Sequence, residues 1–453
     1  MNSFARIPPI VKRVVAPALF LIVLLYYLTH AGKVYTDHVV TKLRDKKTVF
    51  LEQFLEDDIG PPINGAGIEK LCEGKGKDNR LVFSCDTAKG GVAQARQYQL
   101  QCLRLGIESG ASKIILPHIV KRNDGDFRLR RRATAPSDGV PLDYMFDAGH
   151  IHEILAAHCP RVEVHSTIAD FHDVPTMLTP LDMEVSDVYK GDDLTANSVI
   201  AHPEDFKFAV WKHIDRKSPQ EGRHYPLRLR LKFPTPLFPV YNDSAQTARE
   251  LGSVIRVRPD ARRLAGSALF ALSQRFGIAI DPRSSLAPSE DSFIGVHLRI
   301  EKDSKKEFPD YVVQAAAAFD FITATSVKTV FLATGGSAAD VERFTARARD
   351  FGVTVVTKES LLEGEELAQL RGMTYDQQAL VDYEVMKRAG KVVGRSQSKF
   401  SWDLAIARAA AYGDVPVVDA PEPEGSVTWE DRFTTLFGDM RPSRGGVLHS
   451  TWP

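Results

Sequence analysis

From Phe293 to Ala411 the chain repeats one alternation: a short apolar run, a turn, then an amphipathic stretch of helical length. No other feature restricts the fold so much, because strands that alternate with crossover helices pair in parallel and leave few topologies open. The pattern predicts strands at 293–298, 329–333, 353–357 and 392–394, and helices at 309–325, 338–351, 374–389 and 401–411, with an acidic segment at 359–366. Four such strands make a Rossmann-like sheet, whose ligands lie outside the carboxyl ends of the strands. Earlier, the run Arg80 to Ser84, the turn Lys89-Gly90-Gly91, a helix from Val92 to about Ser109 and the run Lys113 to Pro117 give a first α/β unit of the same kind. A helical pattern from Ala248 through Phe276 leads to the Pro-, Ser- and Asp-containing loop at 281–289, which reads as a domain boundary.

A chain of 453 residues is too long for one small core and suggests two or three domains. Lys plus Arg and Asp plus Glu both number 58, so any cationic site is local and nucleic acid is not an expected partner. At the start, Arg6, Lys12 and Arg13 precede the apolar run Val14 to Leu28, closed by Tyr26, Tyr27 and His30. That pattern predicts a signal anchor with its cationic flank in the cytosol and the bulk of the chain in a lumen, with a cleaved signal peptide as the competing reading. The expected division is a cytosolic tail at 1–13, a transmembrane anchor at 14–30, a stem at 31–65, domains at 66–285 and 286–440, and a tail at 441–453. In an oxidising lumen the four cysteines default to disulfides. Cys72 and Cys85, flanking a turn-rich stretch, make the best local pair, and Cys102 reads as a buried thiol, although spacing does not decide the pairing. The sequon Asn242-Asp243-Ser244 fits a lumenal location.

Three loops at carboxyl ends of the expected strands gather on one edge of the second sheet. In the first, His297, Arg299, Glu301 and Asp303 recur every second residue, so one face of an extended segment presents all four. Arg299 is the sharpest candidate, because its planar fork can bond two phosphate oxygens; the plain alternative is an exposed ion pair between Arg299 and Asp303. In the second, Thr334, Gly335, Gly336 and Ser337 offer donors and close backbone approach ahead of a helix. In the third, Ser398, Lys399, Phe400 and Ser401 could hold a phosphate and a flat base, whereas Ser401 as an N-cap and Phe400 as core is the structural alternative. The chain has no HExxH, GxSxG or P-loop. Asp124-Gly125-Asp126 has the form of a metal-binding DxD, but it lies in a polar turn between Arg122 and Arg128, and the neighbouring cluster Arg128 to Arg132 reads as a solvated loop. No metal ligand set is assigned.

In order along the chain, four segments resemble the protein O-fucosyltransferase superfamily. Lys89 to Arg96 followed by Lys113 to Pro117 is similar to its GGxNQxR turn, helix and VLP strand, and His297 to Asp303 to its HLRxExD signature. Phe331 to Gly336 and Val356 to Leu362 resemble its ATG and VTKE segments. Leu380 to Tyr383 and the loop Gly394 to Ser401 fall where that family places a base-contacting Asp and a Ser-Phe pair. The resemblance implies a GT-B fold, two Rossmann-like domains facing across a cleft, and inverting, metal-independent transfer of fucose from GDP-fucose to a hydroxyl of a protein or glycan, in the endoplasmic reticulum or Golgi. By position it implies that Arg299 stabilises departing GDP, that Asp303 lies by the donor or acceptor, and that Asp382 contacts guanine. His297, Thr334, Gly335, Ser398, Lys399, Phe400 and Ser401 would line the donor, and Gly90, Gly91, Gln94 and Arg96 would border the same cleft. Two positions depart from the family pattern: Ala93 replaces its Asn, and Lys399 is inserted between Ser398 and Phe400. Ala93 leaves open another sugar donor or a catalytically inactive binding protein that retains the fold. A transferase of unrelated fold using Asp124 and Asp126 would require manganese.

Overall fold

The computed structural model describes residues 46–122, 139–171, 175–195, 199–232, 237–284, 286–301, 307–413, 427–438 and 441–453. The expected tail and anchor at 1–30, the stem up to residue 45, Asp124, Asp126, the cluster Arg128 to Arg132 and the candidate Asp303 lie outside the described residues. Among the described residues no helix is long and apolar enough to cross a membrane. Contacts divide the chain into Met1–Glu52, of which residues 46–52 are described within the helix Lys46–Glu56, and Gln53–Pro453. All that follows concerns the second unit.

Its first sheet contains β1 (Asp78–Cys85), β2 (Ala111–Ile115), β3 (Glu163–His165), β4 (Leu181–Met183) and β5 (Leu227–Leu231) in the order β3-β2-β1-β5-β4, every pair parallel. The central strand is apolar without alternation, with Leu81, Val82 and Phe83 fully buried, as a strand covered on both faces requires. Around the sheet lie α1 (Ala66–Cys72), α2 (Val92–Glu108), α3 (Ala148–His158), α4 (Phe206–Lys217), α5 (Ala245–Val254) and α6 (Pro259–Phe276). The single helix expected from Ala248 to Phe276 is therefore two. Pro259 opens α6 at its first turn, where a missing N–H costs nothing, and Gly277 (φ 65°) closes it in the left-handed region.

The second sheet contains β6 (Ile294–Leu298), β7 (Thr329–Thr334), β8 (Thr354–Val356), β9 (Lys391–Arg395), β10 (Val427–Glu430) and β11 (Thr434–Phe437) in the order β10-β11-β9-β6-β7-β8. It is parallel except for the β10/β11 pair. Its covering helices include α7 (Tyr311–Thr323), α8 (Ala338–Arg349), α9 (Tyr375–Met386) and α10 (Lys399–Tyr412). Ile294, Val296 and Leu298 of β6 pack with Phe319 and Ile322 of α7 and Phe344 of α8, the two phenyl rings stacking at 4.6 Å. Burying such side chains contributes about 1.5–3 kcal/mol each.

Two parallel sheets with flanking helices are thus what the alternation predicts, and a polar junction joins them. Arg96 and Gln97 of α2 reach Asp403 of α10 at 3.2 and 2.5 Å, and the other Asp403 oxygen accepts from the Tyr383 hydroxyl at 2.7 Å. Gln97 also exchanges hydrogen bonds with the backbone of Trp452. From Phe54 on, the expected stem is bound into this unit: Arg262 donates to the carbonyls of Phe54 and Asp57, and Asp58 pairs with Lys387.

The disulfides are Cys72–Cys159 and Cys85–Cys102, which corrects both the expected Cys72–Cys85 pair and the free Cys102. Cys72 ends α1 and Cys159 caps α3, two helices that pack on each other; Cys85 ends β1 beneath α2, where Cys102 is buried. Tertiary packing, not sequence proximity, chose the partners.

Candidate active site

A cavity of about 410 Å³ lies between the strand ends of the two sheets. From the first sheet's side Gly91 to Gln94 and Arg122 line it; from the second come the ends of β6 and β7 and the starts of α9 and α10. This is where parallel α/β sheets hold ligands.

Arg299 follows the last residue of β6, and its backbone is held from both sides by one side chain. Gln314 of α7 accepts from the Arg299 N–H at 2.9 Å and donates to its carbonyl at 2.8 Å and to that of Pro309 at 2.6 Å. The Arg299 guanidinium pairs with Glu301. Glu301 is 3% exposed, and its other oxygen accepts from the Tyr375 hydroxyl at 2.6 Å and the Gly335 N–H at 3.0 Å. Burial pushes the Glu301 pKa up, but Arg299 and the Tyr375 hydroxyl outweigh it and hold the carboxyl below its ordinary value. Gly335 has no alternative here, because a Cβ would stand 2.5 Å from the Tyr375 ring and 2.6 Å from Glu301. Thr334 donates from its hydroxyl to the Leu298 carbonyl at 2.8 Å, tying the end of β7 to β6.

His297 lines the cavity with its Nδ1 2.8 Å from the Ser401 hydroxyl and its ring 4.6 Å from that of Phe400. Burial lowers its pKa to about 4, so the imidazole is neutral at neutral pH. Ser401 is fully buried behind His297 and does not itself line the cavity. Ser398 is the N-cap of α10, its hydroxyl accepting from the Ser401 N–H, so the cap is Ser398 and not Ser401. Gln397, Ser398, Lys399 and Phe400 all reach the cavity, giving it a helix N-terminus suited to an anion.

At another wall, Asp382 of α9 accepts from Lys358 at 2.7 Å, both groups being buried. Burial pushes the Asp382 pKa up to about 7 against the pull of Lys358, and the pair holds Lys358 charged. Asp382 lines the cavity, and its Oδ1 is buried with no hydrogen-bond partner among the described residues.

On the first sheet's side Gly91, Ala93 and Gln94 line the cavity as the sequence suggests. Gly90 (φ 109°) stands behind them, with no room for a Cβ against Gln94. Arg96 is not a cavity residue: it is buried at the sheet junction, donating to Asp403 and to the carbonyls of Gly252, Trp452 and Pro453. Sequence reading puts Glu301 on the same strand-end face as Arg299 but assigns it no role, misses Tyr375 and Lys358 as cavity residues, and overlooks Arg122, which forks onto buried Asp376 below the cavity. Only Glu301 and Lys358 carried a signal, since both stand inside quoted motifs; Arg122 lies in a loop with no periodicity.

By sequence, no protein-family model and no curated protein match the chain. By structure it is similar to known fucosyltransferases. POFUT1 in complex with GDP aligns at 12% identity over 80% of this chain and 99% of that one, with a TM-score of 0.44. The fucosyltransferase NodZ from Bradyrhizobium aligns at 15% identity over 73% and 93%, TM-score 0.39, and Arabidopsis thaliana FUT1 with GDP at 10% over 81% and 75%, TM-score 0.36.

Proposed function

We propose that the chain is a glycosyltransferase of GT-B architecture that moves fucose from GDP-fucose to a hydroxyl of a protein or glycan, with inversion. One observation carries this reading: a single cavity presents both a braced arginine at a strand end and, on α9, an unpartnered carboxylate oxygen. The first suits a diphosphate and the second the N–H groups of a base such as guanine. In the proposed reaction the acceptor oxygen attacks the sugar's anomeric carbon, the bond to the diphosphate breaks, and GDP leaves with the electron pair. Arg299, with the N–H groups at the start of α10, stabilises the charge that develops on the departing diphosphate, so no metal is required. The acceptor's proton passes to a carboxylate. Glu301 is occupied by Arg299, Tyr375 and Gly335, and Ala93 has nothing to accept with, so Asp303 is our candidate.

We further propose a single-pass type II protein of the Golgi or endoplasmic reticulum, supported by the apolar run at 14–28 and by two disulfides, which persist in oxidising compartments. Ala93 on the cavity wall favours one rival, an inactive binding protein. Release of fucose from GDP-fucose by the purified protein in chelator supports the enzyme. GDP binding without any turnover on hydroxyl acceptors or water supports the rival.

A further inference from the structure

Seven arginines of the described residues are buried, and six of them, Arg96, Arg104, Arg228, Arg262, Arg388 and Arg408, donate to carbonyls, hydroxyls or carboxylates. Arg408 alone reaches four carbonyls and a hydroxyl. Arg395 is the exception. It is 8% exposed, its Nε is buried, and its guanidinium makes no hydrogen bond or ion pair among the described residues. Burial alone acts on its pKa, downward, with no carboxylate to oppose it. A buried cation without a partner is costly and rare, and its natural partner is an anion that comes from outside.

The surroundings are built for one. A Cβ on Gly438 would stand 2.6 Å from the Ser396 hydroxyl, 3.0 Å from an Arg395 Nη and 3.0 Å from the Gln397 amide nitrogen, so three donors gather over a glycine at φ 121°. Ser396 is 1% exposed and its hydroxyl, like the Gln397 carbonyl oxygen, is buried without a partner among the described residues. The backbone fixes this group: Ser396 N–H donates to Phe437 at 2.9 Å, beside the paired ends of β9 and β11, and the Ser396 carbonyl accepts from Trp402 at 2.6 Å. Gln397 also lines the large cavity, so the cradle adjoins it.

We propose that Arg395, Ser396 and Gln397 form, around Gly438, an oxyanion-binding subsite beside the Arg299 cavity. The group it takes is a phosphate, sulfate or carboxylate, brought either by the nucleotide's diphosphate or by an anionic second substrate. Only the choice between those sources rests on the function proposed above; the subsite itself does not.

The test is thermal unfolding of the full-length protein titrated with sodium sulfate against sodium chloride at matched ionic strength. The wild type should gain stability from sulfate. Arg395→Met should lose that gain while unfolding, without sulfate, no lower than the wild type, because it removes an unpartnered charge. Ser396→Ala, which changes no charge, should weaken the apparent sulfate affinity several-fold even if Arg395→Met fails to fold. Arg299→Ala should keep the part that depends on Arg395. Repeating the titration in saturating GDP separates the sources: loss of the sulfate effect assigns the subsite to the diphosphate, and persistence assigns it to a second substrate. If the protein binds no GDP the sulfate result still stands, so the two readings fail separately. Equal sulfate stabilisation in wild type and Ser396→Ala, or in wild type and a folded Arg395→Met, would overturn the subsite.

Discussion

Arg299 is held at three points, its N–H and carbonyl by Gln314 and its guanidinium by Glu301, so removing the side chain beyond Cβ leaves the strand end in place. Arg299→Ala should therefore fold as the wild type by circular dichroism and lose at least ~100-fold in turnover of GDP-fucose, about 2.7 kcal/mol of transition-state stabilisation. His297 gives a pH signature. Its pKa falls from 6.5 in the unfolded chain to about 4 when buried, so between those values the unfolded state binds the extra proton. Stability is full above pH 6.5 and lost as pH falls toward 4, by up to about 3 kcal/mol. Urea denaturation of His297→Gln across that range should show a shallower slope than the wild type. At this scale His297 and Arg299 were legible because alternation on a strand puts them on one face. The work of Glu301 was not, since its partner Tyr375 stands 74 residues away and only folding brings it near.

Among elements, the second sheet was the more legible. Its strands β6 to β9 lie within two residues of their expected bounds, because each is an apolar run and β6, β7 and β9 are followed by helices of more than ten residues. The first sheet was half hidden: β3 and β4 have three residues each, too few to show any period. The split before α6 was visible in Pro259, had its N–H-free first-turn preference been weighed against the helical pattern. Gln314 shows what a helix does for a strand end. Gln314→Leu keeps the volume but leaves the N–H and carbonyl of Arg299 without their partner, and should cost about 1–3 kcal/mol in chemical denaturation and slow turnover with it. Replacing Cys72 and Cys159 by serine, which frees α1 from α3, should lower stability by about 2–4 kcal/mol in the same assay.

For the whole molecule, the sequence pattern foretold two α/β sheets but not how they meet. The junction is made by Arg96 and Asp403, 307 residues apart, and Arg96 looked like a cleft residue because it follows a glycine turn that does line the cleft. Asp403→Ala leaves a buried arginine short of its counter-charge and the Tyr383 hydroxyl without an acceptor, and should cost about 3–5 kcal/mol by calorimetry. The central claim, that the space between the sheets is a nucleotide-sugar site in which Arg299 takes the diphosphate, is tested most directly by calorimetric titration of GDP into the wild type and Arg299→Ala in chelator. The account predicts saturable one-to-one binding that weakens at least tenfold, ~1.4 kcal/mol, in the variant. No binding of GDP to the folded wild type, or equal affinity in both proteins, would contradict it.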